Sequence, residues 1–532
     1  MHLGMSKSKN STSLYVLKST YENGFHSTKI VEKLGTFEEL ESKLNGHDPV
    51  EWAKHHIEEL NKLEKQNKHE VTAKYSPAKL IHKNEQRSFN GGYLFLQPFY
   101  SDLGFHDICA DLKRKNKLDF NMDAILSRMI YSRIIYSSTQ LSYYESANLF
   151  IEPPDFTPKQ VTKALKVLAG EKEYIKNKLY ENTKRLYGIN TDQLFYDTTT
   201  CLYETDSHPQ SKSVSILPME LYYDGSMVPL TYRCSPTHIK AQPLSETEQK
   251  IKDLYHNSHT ITISDNDILS GSSDEFKNWG MKNHCIMTLS FHQLHEEEKK
   301  AALDPNGWIC SDNGAIYNIH QLYLEDEIKH PSRYYYKELS IGSLRTIITY
   351  SETKVETTRF QHETFLTVQK TTLTSEIATS KVDHRTKVAT AGIQAYVTNL
   401  PSPVKKIVTI AFLRQNVHDF FRILSMDVLE KGTPLTDAEQ LDAHFIICYS
   451  ALTVYSALLR RIDMGDHIYN YAQTLRTMNF IKIHSEGYIP LYTRTDITDR
   501  LHECAGFRTD YEIIDSNHMH KLIKTGCKKE AL

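Results

Sequence analysis

The sequence predicts a mixed α/β protein, and three observations carry that prediction. Short aromatic and β-branched runs, "QLFYDTTTCLYE", "SVSILPMELYYDG" and "MVPLTYRCS", follow one another between residues 193 and 235. Apolar residues at helical spacing precede and follow them, as in "NMDAILSRMIYSRIIY" and "HFIICYSALTVYSALLRR". Between residues 193 and 291 the order reads strand, strand, strand, helix, strand, strand, which is a mixed α/β core.

Taken in order, residues 12–36 give two strand-like runs around a turn at "ENG", and a Lys/Glu-rich helical stretch follows to about residue 70. This is a hairpin-and-helix module, residues 1–75. Residues 76–186 read as mainly helical, with one helix starting behind an Asn121 cap and another running from Lys172 to Leu186. DNA contact and simple packing are both open for this region, because it carries no convincing helix-turn-helix signature.

The three strands come next, with a turn at Asp224-Gly225, then a helix at about 244–256 and two further strands, "HTITISDND" and "NHCIMTLSF". Residues 187–329 therefore form the first part of the core. Alternating runs such as "SLRTIITYS" and "TFLTVQKTTL" make 330–390 a β-rich insertion. The core resumes over 391–532 with the strand "IQAYVTNL" and a helix beginning close to Pro403, whose apolar stripe is Ile410, Leu413, Val417, Phe421, Leu424 and Val428.

Length and composition bound the rest. A chain of 532 residues with 39% hydrophobic and 24% charged residues holds a large core in more than one structural unit. The first thirteen residues lack the apolar run of a secretory signal, so none is expected. The segment 444–461 is broken by Ser, Tyr and His and is short of the roughly 20 apolar residues of a membrane span. It is expected to be a buried core helix. Eight scattered cysteines without a CxxC pair fit reduced thiols in a cytoplasmic protein. A net charge of −3 neither announces nor excludes a nucleic-acid partner, since a local basic groove can sit on a neutral protein.

Two acids stand out chemically. Asp197 lies inside an aromatic, β-branched strand, where a carboxylate is unfavourable unless paired, hydrogen-bonded or bound to a metal. Asp265 ends a second apolar strand, with Asp267 two residues on. Acids on neighbouring strands can converge on a divalent cation suited to phosphoryl transfer. A satisfied strand acid at 197 and a turn-capping acid at 265 explain the same residues. Other signals are weaker: His292 and His295 border a charged surface helix, His518 and His520 sit in an expected tail, and "DNDILSGSSDE" lacks calcium-loop spacing.

In order along the chain, "YDTTT", the D-G-x-M-V-P-L run, "ITISD", "YVTNL", an R-x-x-V-x-x-x-F-R run and "DAHFIICYSAL" resemble the IS4-like DDE transposases of bacterial insertion sequences, particularly the IS1634 group. The resemblance covers most of the chain. It implies a ribonuclease-H-like catalytic core interrupted by a β-rich insertion, binding of double-stranded DNA at element ends and target, and action as a homodimer on DNA. It also implies that three acids hold two Mg²⁺ (or Mn²⁺) ions for strand cleavage and joining. Asp197 matches the first acid and Asp265 the second.

The third acid is expected in a pattern resembling Y-x-x-R-W-x-I-E-x-x-F-R-x-x-K, read here as Ala411, Arg414, Gln415, Val417, His418, Phe421, Arg422 and Ser425. A histidine, His418, stands where the glutamate belongs. Three readings follow. The chain has lost efficient cleavage, because magnesium discriminates against nitrogen ligands. Alternatively His418 serves as ligand or base and Asp419 supplies the carboxylate, although successive helical residues point about 100° apart. In the third reading the chain is a structural or protein-binding module that retains only the fold. Arg414, His418 and Arg422 fall at i, i+4 and i+8 along one helical face, where the two arginines suit DNA phosphates or the carboxylates themselves; a solvated basic stripe is the plainer account.

Overall fold

The computed structural model describes the chain apart from residues 9–10, 23–24, 45–47, 68–76, 79, 137–140, 190–193, 206–212, 225–227, 235–259, 266–283, 290, 292–293, 323–332, 342–343, 352–391, 413, 415–436, 463–467, 484–486 and 526–532. The chain divides into two compact units, Met1–Glu85 and Gln86–Leu532.

The first unit is a three-stranded antiparallel sheet with two helices. Strands β1 (His2–Lys7), β2 (Thr12–Glu22) and β3 (Phe25–Thr36) lie in chain order, and the outermost, β1, has no counterpart in the sequence reading because its residues alternate poorly. Leu14 and Val16, two apart on β2, enter the core with Leu40, Ala53 and Ile57 of the helices α1 (Phe37–Lys43) and α2 (Pro49–Asn67). Thr36 and Glu39 cap α1 reciprocally, so the strand passes directly into the helix.

In the second unit one hydrophobic core joins a helical layer to a sheet. The helices are α3 (Gln97–Asp102), α4 (Phe105–Lys115), α5 (Met122–Tyr136), α6 (Tyr143–Ala147), α7 (Pro158–Gly170) and α8 (Lys172–Tyr187). As the sequence suggests, the Asn121 side chain accepts from the Ala124 amide at 3.2 Å to start α5. Later come α9 (Glu296–Leu303) and α10 (Asp437–Ile462). Helix α10 is the one described helix long and apolar enough to cross a membrane, and it is mostly buried. It packs on α5, α7 and α8, and its Tyr449 hydroxyl donates to the Leu230 carbonyl at 2.8 Å at the edge of the sheet.

Among the described residues the sheet has ten strands: β5 (Leu194–Thr205), β6 (Ser213–Tyr223), β7 (Pro229–Cys234), β8 (Thr260–Asp265), β9 (His284–Leu289), β10 (Trp308–Cys310), β11 (Ile316–Tyr317), β12 (Tyr335–Ile341), β13 (Leu344–Tyr350) and β14 (Ile393–Thr398). Their order is β11-β10-β12-β13-β14-β9-β8-β5-β6-β7. Strands β5, β6 and β7 form an antiparallel meander, while β8 is parallel to β5 and β9 is parallel to β8. The described strands of the expected insertion, β12 and β13, pair with each other and continue this sheet through β14. The predicted helix at 244–256 lies outside the described residues.

A second sheet, β17-β16-β15-β4, closes the unit with β4 (Ser88–Asn90), β15 (Asn479–Ile483), β16 (Gly487–Pro490) and β17 (Ile514–Asp515). Asn90 locks it to α11 (Ile468–Thr477). Its buried side chain donates to the Leu475 and Arg476 carbonyls at 2.9 and 3.1 Å and accepts from the Gly92 amide at 2.9 Å. His518 and His520, expected in a tail, instead lie on α13 (Ser516–Thr525), which docks through Met519, Leu522 and Ile523. That helix is amphipathic, and three buried side chains suffice to hold it.

Candidate active site

The middle of the ten-stranded sheet brings the two singled-out acids together in backbone terms. Asp197 on β5 is opposite Ile263 on β8, and Thr198 is opposite Ser264. Asp265, the last residue of β8, is thus two register steps further along the neighbouring parallel strand. Strands about 4.8 Å apart, rising about 3.3 Å per residue, put the two Cα atoms roughly 8 Å from each other. Both positions share one phase of the pleat, because the side-chain period of a strand is two and the offset is even.

That phase is the one covered by helices. Phe195 on β5, Leu221 on β6 and Ile286 on β9 occupy it, and all three are buried in the core shared with α5, α7 and α10. Met287 and Leu289, in the opposite phase of β9, enter the separate core that contains Trp308 and Ile348. The side chains of Asp197 and Asp265 lie outside the described ones, so the placement rests on backbone register.

The expected helix after β14 begins at Val404, one residue beyond Pro403, and is described at 404–412 and at Arg414. Val404, Ile407, Val408 and Ala411 turn its buried face toward the same core, with Ile410 at the border. Arg414 is 0% exposed. A buried guanidinium is favourable only among acceptors or anions, so of the two roles open to it, holding core acceptors suits its position better than contact with a duplex at the surface. His418, Asp419 and Arg422 lie outside the described residues.

Cysteine chemistry finds no support among the described residues. Burial pushes the Cys109 thiol far up, the Cys285 thiol to about 11 and the Cys504 thiol up as well, so each stays protonated near neutrality. No disulfide joins any two of the six cysteines whose side chains are described.

A second polar cluster, missed in the sequence, sits on α12 (Asp496–Ala505) and the segment after it. Asp499, His502 and Asp510 gather their ligand atoms within 4.8 Å of one another. The D-x-x-H spacing at 499–502 puts two of them on one helical face and is the one local pattern that could have marked the cluster. The donor set nonetheless does not fit a cation. Arg494 donates to Asp499 at 2.9 Å, Arg508 donates to Asp499 at 2.6 Å, and Arg508 also engages both oxygens of Asp510. His502 Nε2 accepts the Thr509 amide at 3.0 Å, which places its proton on Nδ1. Ion pairs and a backbone hydrogen bond already occupy the groups a metal needs.

This cluster predicts a pH response. Burial holds the His502 pKa below the ordinary imidazole value, with Asp510 opposing and Arg508 assisting, and hydrogen bonds from Arg508 hold the Asp510 carboxyl down. A depressed folded pKa means that the unfolded chain binds the extra proton first. The stability from neutral His502 is therefore complete above about pH 6.5 and is lost as pH falls through the lower folded value. Thermal melts from pH 7 to pH 5 should show a smaller acid-side loss in His502→Gln, which keeps an acceptor for Thr509 without the titration. Equal slopes in the two proteins would remove His502 from this role.

Comparison of the chain with protein-family models, with curated proteins and with solved structures finds no match.

Proposed function

We propose that this chain is a transposase-like protein of the IS4 type, with a ribonuclease-H-like core, which binds double-stranded DNA and cuts and joins it by metal-dependent phosphoryl transfer. The observation that carries the reading is the register of Asp197 and Asp265 on adjacent parallel strands, in one pleat phase and roughly 8 Å apart at Cα. Strand order supports it further. Numbered along the chain, β7-β6-β5-β8-β9 reads 3-2-1-4-5, three antiparallel strands followed by two parallel ones, which is the order of a ribonuclease-H-like core. The acids occupy its first and fourth strands.

Asp197 and Asp265 would hold Mg²⁺ or Mn²⁺, a hard cation matched to two carboxylates, and when bound it would supply charge neutralisation for attack on a phosphodiester. The residues themselves do the positioning. Asp197 sits inside a long strand paired on both sides, so its backbone is fixed by two ladders. Asp265 sits where β8 ends, at the carboxyl end of a parallel pair, the usual place for a ligand in such sheets. Arg414, buried on the following helix, would orient carboxylates or backbone acceptors in the core.

A second reading, DNA binding without cutting, is favoured by His418 at the position of the third acid. One experiment separates the two. The full chain is incubated with duplex DNA carrying the sequences that flank its own reading frame, with Mg²⁺, Mn²⁺ or EDTA. Metal-dependent nicking at the ends supports the first reading, and binding without nicking supports the second. Neither binding nor nicking sinks both.

A further inference from the structure

Two exposed basic runs of the second unit lie at the carboxyl end of α4 and along α7. The carboxyl end of α4 runs "LKRKNK", and Lys113, Arg114, Lys115 and Lys117 are all exposed. Helix α7 presents Lys159, Lys163 and Lys166, also exposed, at i, i+4 and i+7 along one face. That helix contains no acid, and its opposite face, Val161, Ala164, Leu165 and Leu168, is buried. The two basic runs adjoin: Asn116 and Leu118 line a shallow groove together with Lys166, Val167, Gly170 and Glu171, the acid that pairs with Lys115.

Neutralisation within the face is incomplete. Arg114 pairs with Asp111 at 2.7 Å and Lys115 with Glu171 at 2.6 Å, while Lys163 reaches Asp119 at 4.0 Å and Lys166 reaches Glu439 at 3.7 Å. Exposed pairs at the longer distances contribute little and are screened by salt. A chain with a net charge of −3 thus gathers seven cations into two short, adjoining segments. Lysine stripes are ordinary on solvated helices, where they normally alternate with acids; α7 has no acid of its own, and the acids near its stripe, Asp119 and Glu439, come from other segments and stand 4.0 and 3.7 Å away.

We infer that the α4–α7 face binds the phosphate backbone of duplex DNA. The inference rests on the DNA-binding reading above and names a surface for it on elements other than the strands that carry the two aspartates. Charge complementarity selects the partner. Six cations on two helices and Lys117 in the turn after α4 suit a regularly charged rod, and the lysines along α7 span about 10 Å at 1.5 Å per residue. Compact lysine ammonium groups give contact without base readout, so this face positions DNA and does not choose its sequence.

The test measures binding of a fluorescein-labelled 30-base-pair duplex of mixed sequence to the full chain from 50 to 300 mM NaCl. The variant K113Q/K159Q/K163Q is compared with K54Q/K62Q/K300Q, which removes three exposed lysines elsewhere. The expected result is a drop in affinity of about 10- to 100-fold at 150 mM NaCl for the first variant alone, with its salt slope shallower by about 2 to 3. Wild-type binding with no change in the first variant, or equal loss in both, overturns this surface and leaves the DNA reading standing. No binding by the wild type even at 50 mM overturns both. Circular dichroism and melting temperature equal to wild type confirm that the surface substitutions leave the fold intact.

Discussion

Asp197→Asn is expected to reduce metal-dependent nicking by about 10³-fold or more, with the protein as stable as wild type or slightly more so. The amide keeps the size of the side chain and two hydrogen-bonding atoms but removes the negative charge that a hard cation requires. In a strand interior that same charge is unfavourable when no cation balances it, so its removal should not weaken the fold. A purely structural acid gives the opposite result, lower stability with nicking unchanged. Asp265→Asn should match Asp197→Asn, and the double variant should be no worse than either, because residues acting as one unit are not additive. His418→Glu completes the inferred acid set. It should raise nicking if the wild-type site is short of an oxygen ligand, and leave it unchanged or lower if His418 has a role of its own. All are read as initial nicking rates beside a urea melt.

Gly92→Ala is expected to destabilise the second unit by about 3 kcal/mol, seen as a lower urea midpoint. A Cβ at this position falls 2.1 Å from the Leu475 carbonyl oxygen and 2.9 Å from the Leu475 Cα. Both are backbone atoms, so no side-chain rotation relieves the overlap. Leu475 is also held in place, since its carbonyl accepts from Asn90 at 2.9 Å and lies in the last turn of α11. Asn90→Ala should destabilise by a comparable amount, leaving two carbonyls and the Gly92 amide without their side-chain partner. Because both substitutions strike the same junction, their combined effect should be less than the sum. A Gly92→Ala protein that melts like wild type would mean that β4 and α11 separate at little free-energy loss.

Much of the secondary structure was legible because it depends on local periodicity. The runs at 193–204, 213–225 and 227–235 became β5, β6 and β7, and the apolar segment at 444–461 became the buried middle of α10. Strand β1 was not legible, since an exposed edge strand needs no hydrophobic alternation of its own. The C-terminal sheet was not legible for a different reason. Strand β4 pairs with β15 nearly 400 residues later, and no window along the chain contains both.

Of the proposed site, the sequence alone supplied the residue types: two acids in apolar strands, and a histidine where a third acid is expected. It also marked the strands β5–β9, β13 and β14, because alternation and β-branching act over a few residues. Only the tertiary structure decided that β8 lies beside β5, parallel and in a register that puts Asp197 and Asp265 in one pleat phase. The tertiary structure also turned the D-x-x-H spacing at 499–502 into an arginine-neutralised network, and brought the end of the basic run after α4 beside Lys166 of α7. The physical reason is common to all three. Charge and ligand geometry act through space over a few ångströms, whereas sequence patterns report only neighbours along the chain.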